Sequence, residues 1–172
     1  MSYVIEDLRP DNAEDYAKVN ILAWRQSYKG IVNDDFLDLL NTENKYKETV
    51  EKLIRNLNED RNKAFILRVD EKPVGILRVR KSQFEDYPDY GQLGAIYLLD
   101  EVKGKGYGRI LFNKAVEVLK DWGYTKMING CFEGNPSNEF YKRMGGKFVG
   151  TTMLTLQNGQ ELVENLYCYD EI

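Results

Sequence analysis

Apolar and polar positions change period several times along the chain, and the changes mark its elements. Tyr3 to Leu8 alternates loosely and predicts an edge strand. Tyr16, Val19, Leu22 and Ala23 then fall on one helical face, with Asp11 as the cap and Glu14 three residues on, while Trp24 and Tyr28 lie off that stripe. Lys29-Gly30-Ile31-Val32 breaks the helix, Asp34 to Leu40 predicts a short second one, and residues 43–58 a third, with Tyr46, Val50, Leu53, Ile54 and Leu57 at helical spacing. Lys63 to Val69 and Val74 to Arg80 read as strands joined by a turn at Asp70-Glu71-Lys72-Pro73. A central strand, Gln92 to Leu99, follows an acidic, tyrosine-rich loop that carries Glu85, Asp86 and Asp89. Beyond Gly108, the positions Leu111, Ala115, Val118 and Trp122 recur as one helical face. Lys126 to Phe132 is a strand, Asn135 caps a helix with Pro136 at its first position, and Gly145 ends it. Lys147 to Leu156 and Glu161 to Tyr169 form a closing hairpin around Asn158-Gly159. The order predicts one mixed α/β sheet without repeats or linkers.

The densest local signal lies between the central strand and the helix after it. Gly104, Gly106 and Gly108 stand at a helix start, where free N–H groups and the helix dipole favour an anion such as a phosphate. Lys103, Lys105, Arg109 and Lys114 make the local field positive. A Walker A loop requires Gly-Lys followed by Ser or Thr, which is absent, and a dinucleotide fingerprint would need glycine where Arg109 stands. On the glycines alone, a tight strand-to-helix turn remains open.

Lys103-Gly104-Lys105-Gly106-Tyr107-Gly108 resembles the acyl-CoA pyrophosphate loop of the GNAT N-acetyltransferases, whose pattern is Gln or Arg, two residues, Gly, one residue, then Gly or Ala. Lysine at the first position departs from it, keeping the charge without the planar fork of arginine. Asn135-Pro136-Ser137-Asn138-Glu139-Phe140-Tyr141-Lys142-Arg143-Met144-Gly145-Gly146 is similar to the family's later helix. The resemblance spans nearly the whole chain. It implies one N-acetyltransferase domain over residues 1–172, with a single mixed, mostly antiparallel central sheet flanked by helices. It also implies direct transfer of an acetyl group from acetyl-CoA to a primary amine. Coenzyme A would lie along Tyr97, Leu98 and Leu99, with its phosphates on Lys103 to Arg109 and a contact from Asn135. Tyr141 matches the family's tyrosine that protonates the departing thiolate; a phenol of pKa near 10 holds its proton at neutral pH. The acceptor pocket is assigned to Trp24, Tyr28 and Gln92.

Gln92 stands where many members of the family carry a glutamate base, and an amide cannot accept the proton. The expectation is therefore a relay through water to a carboxylate, with Glu133 first and Glu85 and Asp86 behind it. The chain holds no histidine, which removes imidazole as base, triad member and metal ligand. No metal is expected. Cys131 and Cys168 read as buried thiols.

The formal charge of −4 at 172 residues argues against a general nucleic-acid binder and suits a cationic small molecule. No signal-peptide pattern opens the chain, and no apolar run approaches the ~18 residues that a membrane span requires. The chain reads as cytoplasmic, and a homodimer is left open. An acetyltransferase of protein or peptide N-termini or lysines, or an acyl-CoA-binding sensor module without turnover, are the alternatives.

Overall fold

A computed structural model describes residues 2–172, and among these the chain forms seven strands and five α-helices. In order they are β1 (Tyr3–Asp7), α1 (Ala13–Ser27), α2 (Asp34–Leu40), α3 (Glu43–Arg55), β2 (Asn62–Val69), β3 (Lys72–Lys81), β4 (Gly91–Leu98), α4 (Tyr107–Asp121), β5 (Met127–Phe132), α5 (Ser137–Arg143), β6 (Lys147–Thr155) and β7 (Glu161–Tyr169). The strands make one sheet in the order β1-β2-β3-β4-β5-β7-β6. Every neighbouring pair is antiparallel except β4 and β5. The mixed, mostly antiparallel sheet flanked by helices is the architecture expected from the sequence.

The β4/β5 pair positions the site. It is joined only at Gly91↔Met127 and Gln92↔Ile128, after which the two strands part. The cause lies on the other edge of β4. There Arg78 pairs with Ala95 and Val79 with Leu93, so that Gly94 is an extra residue bulged out of the ladder. A bulge bends its strand and sharpens the local twist. From Leu93 to Leu98, β4 therefore has a ladder with β3 on one side and an open edge on the other.

The two faces of the sheet are covered separately. On one, α4 and α5 bury Leu111, Phe112, Ala115, Leu119 and Tyr141 against Phe65, Leu77, Leu93 and Met127. On the other, Tyr16, Val19 and Ala23 of α1 pack on Ile66, Ile76 and Leu99. A third cluster joins Tyr28, Phe36 and Leu37 to Phe132 and Leu162. Leu22 and Ile54, expected on buried helical faces, remain exposed at the stripe edges. Helix α3 buries no residue fully and lends only Val50 and Leu53 to the α1 cluster.

Local chemistry differs from the sequence expectation at two termini. The cap of α1 is Asn12, while Asp11 pairs with Arg9 at 3.1 Å. The helix is held from outside instead: Arg68 on β2 reaches Glu6 at 2.7 Å and Asp15 at 2.8 Å. The β2–β3 turn is only Asp70-Glu71, and Lys72 and Pro73 already belong to β3. Both turn residues take positive φ, +48° and +71°, as a two-residue turn of this twist demands, although neither is glycine.

Candidate active site

The glycine loop lies at the end of β4 where the strands have parted. Gly104 and Gly106 have φ of +74° and +90°, and a β-carbon on either would meet nothing within 4 Å. Glycine is thus required there for backbone conformation, and the space in front of it is open. The first bond of α4 runs from the Ile110 N–H to the Gly106 carbonyl. The amides of Tyr107, Gly108 and Arg109 consequently have no helical acceptor and point outward from the helix start. Lys103, Lys105 and Arg109 are exposed around them, with Lys103 bonded to Asp100 at 2.8 Å. Two loop residues do different work from the rest. A β-carbon on Gly108 would stand 3.2 Å from the Phe140 ring, so this glycine serves the contact between α4 and α5. The Tyr107 side chain is buried in the core beside Tyr3, which leaves only its backbone to the loop.

Tyr97, Leu98 and Leu99 follow along the open edge of β4, and aromatic groups wall the seam on the α1–α2 side. Tyr28 is buried and donates to the Tyr97 hydroxyl at 3.0 Å. Trp24 meets Tyr28 edge-on at a ring separation of 4.6 Å, and Tyr28 lies 5.1 Å from Phe132 on β5. Trp24 and Tyr28, off the stripe of α1, are therefore gathered by the structure with Tyr97. Burial pushes both tyrosine hydroxyls of the Tyr28–Tyr97 pair up, so each remains protonated.

Tyr141 comes from the other face, on α5. The residue is buried, and among the described residues its hydroxyl has no hydrogen-bond partner. Burial is the main reason that its pKa is raised well above the usual phenol value; Cys131, Tyr169 and Tyr97 add to it. Tyr141 can give a proton at neutral pH and cannot act as a base. Cys131, in the same cluster as Tyr141, is no nucleophile, since burial and then the nearby Glu164 carboxylate push its thiol up to about 12.

Asn138, which the sequence reading passed over, fixes α5. Its buried amide donates to the Phe132 carbonyl at 2.9 Å and the Asn135 carbonyl at 2.7 Å. Its oxygen accepts from the Tyr167 hydroxyl at 2.7 Å and from Asn165 at 3.0 Å. All four bonding capacities of the side chain are used, tying α5 to β5 and β7. Asn135 accepts from the Ser137 N–H at 2.9 Å, so it caps the turn while its own amide nitrogen has no partner among the described residues.

The expected proton acceptors are scattered. Gln92 occupies the last joined rung of β4 and β5, is buried, and its oxygen accepts from the Gln83 N–H at 2.8 Å. Glu85 and Asp86 are exposed in the loop that precedes β4, at the closed end of the seam. Glu133 is exposed just past the opposite end of β5, its amide bonded to the Val163 carbonyl at 2.9 Å.

Comparison with known proteins gives the same architecture a family. The model of the acetyltransferase (GNAT) family matches residues 21–146, which include the glycine loop, Asn135 and Tyr141. An uncharacterized N-acetyltransferase of Bacillus subtilis, YuaI, is 34% identical over 146 residues, covering 80% of this chain and 76% of that protein. Among solved structures, the PaiA N-acetyltransferase of Thermoplasma acidophilum in complex with coenzyme A superposes with a TM-score of 0.69 at 16% identity, over 95% of this chain and 98% of that one. An N-acetyltransferase of Staphylococcus aureus Mu50 does so with a TM-score of 0.72 at 16% identity, over 99% of each. At those identities the structures establish the fold, while the family model and the B. subtilis relative carry the assignment. With its parted central strands, glycine loop and unpartnered helix tyrosine, this chain belongs to the GNAT family of acetyltransferases.

Proposed function

We propose that this acetyltransferase takes its acetyl group from acetyl-CoA and passes it directly to the primary amine of a small molecule. The observation that carries the reading is the seam between β4 and β5, which opens beside the glycine loop with the Tyr141 hydroxyl left without a partner. The residues fit the donor: outward amides at Tyr107 to Arg109 and open space before Gly104 and Gly106 suit a pyrophosphate. The PaiA relative was solved with coenzyme A, which supports the same ligand here. Acetyl-CoA supplies the acetyl group as a thioester. The open backbone edge at Ile96 to Leu99 offers strand-like hydrogen bonds to an extended arm, and the free amide nitrogen of Asn135 adds a donor. Tyr141 holds its proton until sulfur departs and gives it up there.

The acceptor reading rests on the wall of Trp24, Tyr28, Tyr97 and Phe132, which suits a compact amine. An overall charge of −4 favours a cationic acceptor. The test is thiol release from acetyl-CoA over a panel of small amines, peptides and folded proteins. Release with small amines is the expected result. Release with peptides or proteins alone would move the reading to protein acetylation, and tight coenzyme A binding with no release would make the chain an acyl-CoA sensor.

A further inference from the structure

We infer that Glu164 on β7 is the catalytic carboxylate that takes the proton from the acceptor ammonium, in the space that Gly130 leaves beside it. The inference rests on the proposed transfer to an amine and names the base which that reading lacks.

Register places Glu164 first. It pairs with Phe132 on β5 and with Thr152 on β6, and directly paired residues of an antiparallel ladder project to the same face. Glu164 therefore stands on the face of Phe132, whose ring meets Trp24 and Tyr28 on the acceptor side. Its side chain leans over β5 at Gly130. A β-carbon there would overlap the carboxylate and come within 2.7 Å of the Glu164 Cγ. Only a residue without a side chain leaves that room.

The carboxylate is also idle. It is half-buried, and among the described residues it has neither a hydrogen-bond donor nor an ion-pair partner, in a chain whose other partly buried acids Glu6 and Asp15 share Arg68. An unpartnered acid at that depth costs stability, so packing gives no reason for it. The ionisable groups whose fields meet it are Cys131 on β5 and Tyr97 on β4. Tyr28, just past the end of α1, is bonded to Tyr97, and the Thr152 of β6 across the ladder is uncharged. Among the described residues no cation offsets its burial, which raises the carboxyl above its ordinary value.

The placement completes the proton inventory. Tyr141 and Cys131 lie on the α5 face and Glu164 on the α1–α2 face. An ammonium must lose two protons to become an amide nitrogen. The first passes to Glu164 and on to water, freeing the lone pair that forms the nitrogen–carbon bond as the carbon–sulfur bond breaks. The second passes from the nitrogen to water as the amide forms; sulfur, departing with its electron pair, takes a proton from Tyr141, which regains one from solvent.

The experiment is the pH profile of kcat/KM for wild type, Glu164→Gln, Glu164→Asp and Glu133→Gln, with an amine identified by the panel and with coenzyme A affinity followed by calorimetry. Wild type should show an acid limb bending above the ordinary carboxylate range. Glu164→Gln should lose that limb and fall roughly 100-fold or more near pH 7, with coenzyme A affinity unchanged; Glu164→Asp should keep the limb at a lower rate. An unchanged profile in Glu164→Gln, or loss of the limb in Glu133→Gln alone, overturns the assignment while leaving acetyl transfer intact. Wild type that turns over no amine fails the functional reading itself, and the inference with it.

Discussion

The Tyr28 hydroxyl donates to the Tyr97 hydroxyl across the acceptor side of the seam at 3.0 Å, joining α1 to the open edge of β4. As acceptor in that bond, Tyr97 keeps its own proton for another partner. Tyr28→Phe removes the donor and should cost about 1 kcal/mol, a fall in Tm of roughly 2–4 °C for a chain of this size. Because Tyr97 then loses its fixed orientation, KM for the amine should rise while coenzyme A affinity stays. Thermal melts with both titrations check it, and an unchanged amine KM would reduce the pair to packing.

Two glycines of the loop should fail in different ways. Gly106 has φ of +90° and open space before it. Gly106→Val therefore strains one residue by about 1–3 kcal/mol, covers the outward amides, and should abolish coenzyme A binding in a folded protein. Gly108 faces Phe140 at 3.2 Å. Gly108→Val should force α5 from α4 and lower Tm first, with coenzyme A affinity lost as a consequence of misplaced helices. The sequence reading gave both residues the same phosphate-site role, since nothing in the glycine spacing tells an outward position from one under a neighbouring helix.

Tyr141→Phe keeps the buried ring and removes only the unpartnered hydroxyl. It should lower kcat by roughly 10-fold or more and leave coenzyme A affinity unaltered. The same enzyme mixed with acetyl-CoA and no amine should carry no acetyl group by intact mass, because the Cys131 thiol, pushed up to about 12, offers no thiolate. Covalently acetylated protein would replace direct transfer with a two-step route.

Much of this fold was legible because its signals are local. Helix periodicity found α4, the Asn158-Gly159 turn found the last hairpin, and the glycine run found the end of β4. What stayed hidden depends on register between distant strands. Gly130 and Glu164 are brought together only by the pairing of β5 with β7, which no local pattern dictates. A trace of it was readable: Leu162, Glu164 and Leu166 share one face of β7, and the glutamate interrupts an otherwise apolar row. Asn138 was hidden likewise, as its partners Tyr167 and Asn165 lie on β7. Asn138→Ala should leave both unsatisfied and cost about 2–3 kcal/mol, measured by urea unfolding.

Glu164 itself predicts an uncommon pH dependence of stability. Its folded pKa is raised by burial above an unfolded value of about 4.3. The folded state then binds more protons than the unfolded one between those two values, and the slope of unfolding free energy with pH is negative there. The contribution is present in full below the unfolded pKa and lost as pH rises through the folded one. Glu164→Gln keeps the shape over Gly130 and removes the titration. Relative to wild type it should therefore gain stability as pH rises from the ordinary carboxylate value to the raised folded one, the difference cancelling the other carboxylates that both proteins share. Urea unfolding of the two proteins at each pH measures it, and a difference that did not change with pH would mean that Glu164 ionises as it does in water. A substitution that stabilises the fold near neutrality while removing the acid limb of kcat/KM would separate the two roles, since a residue that held the structure together would lose both at once.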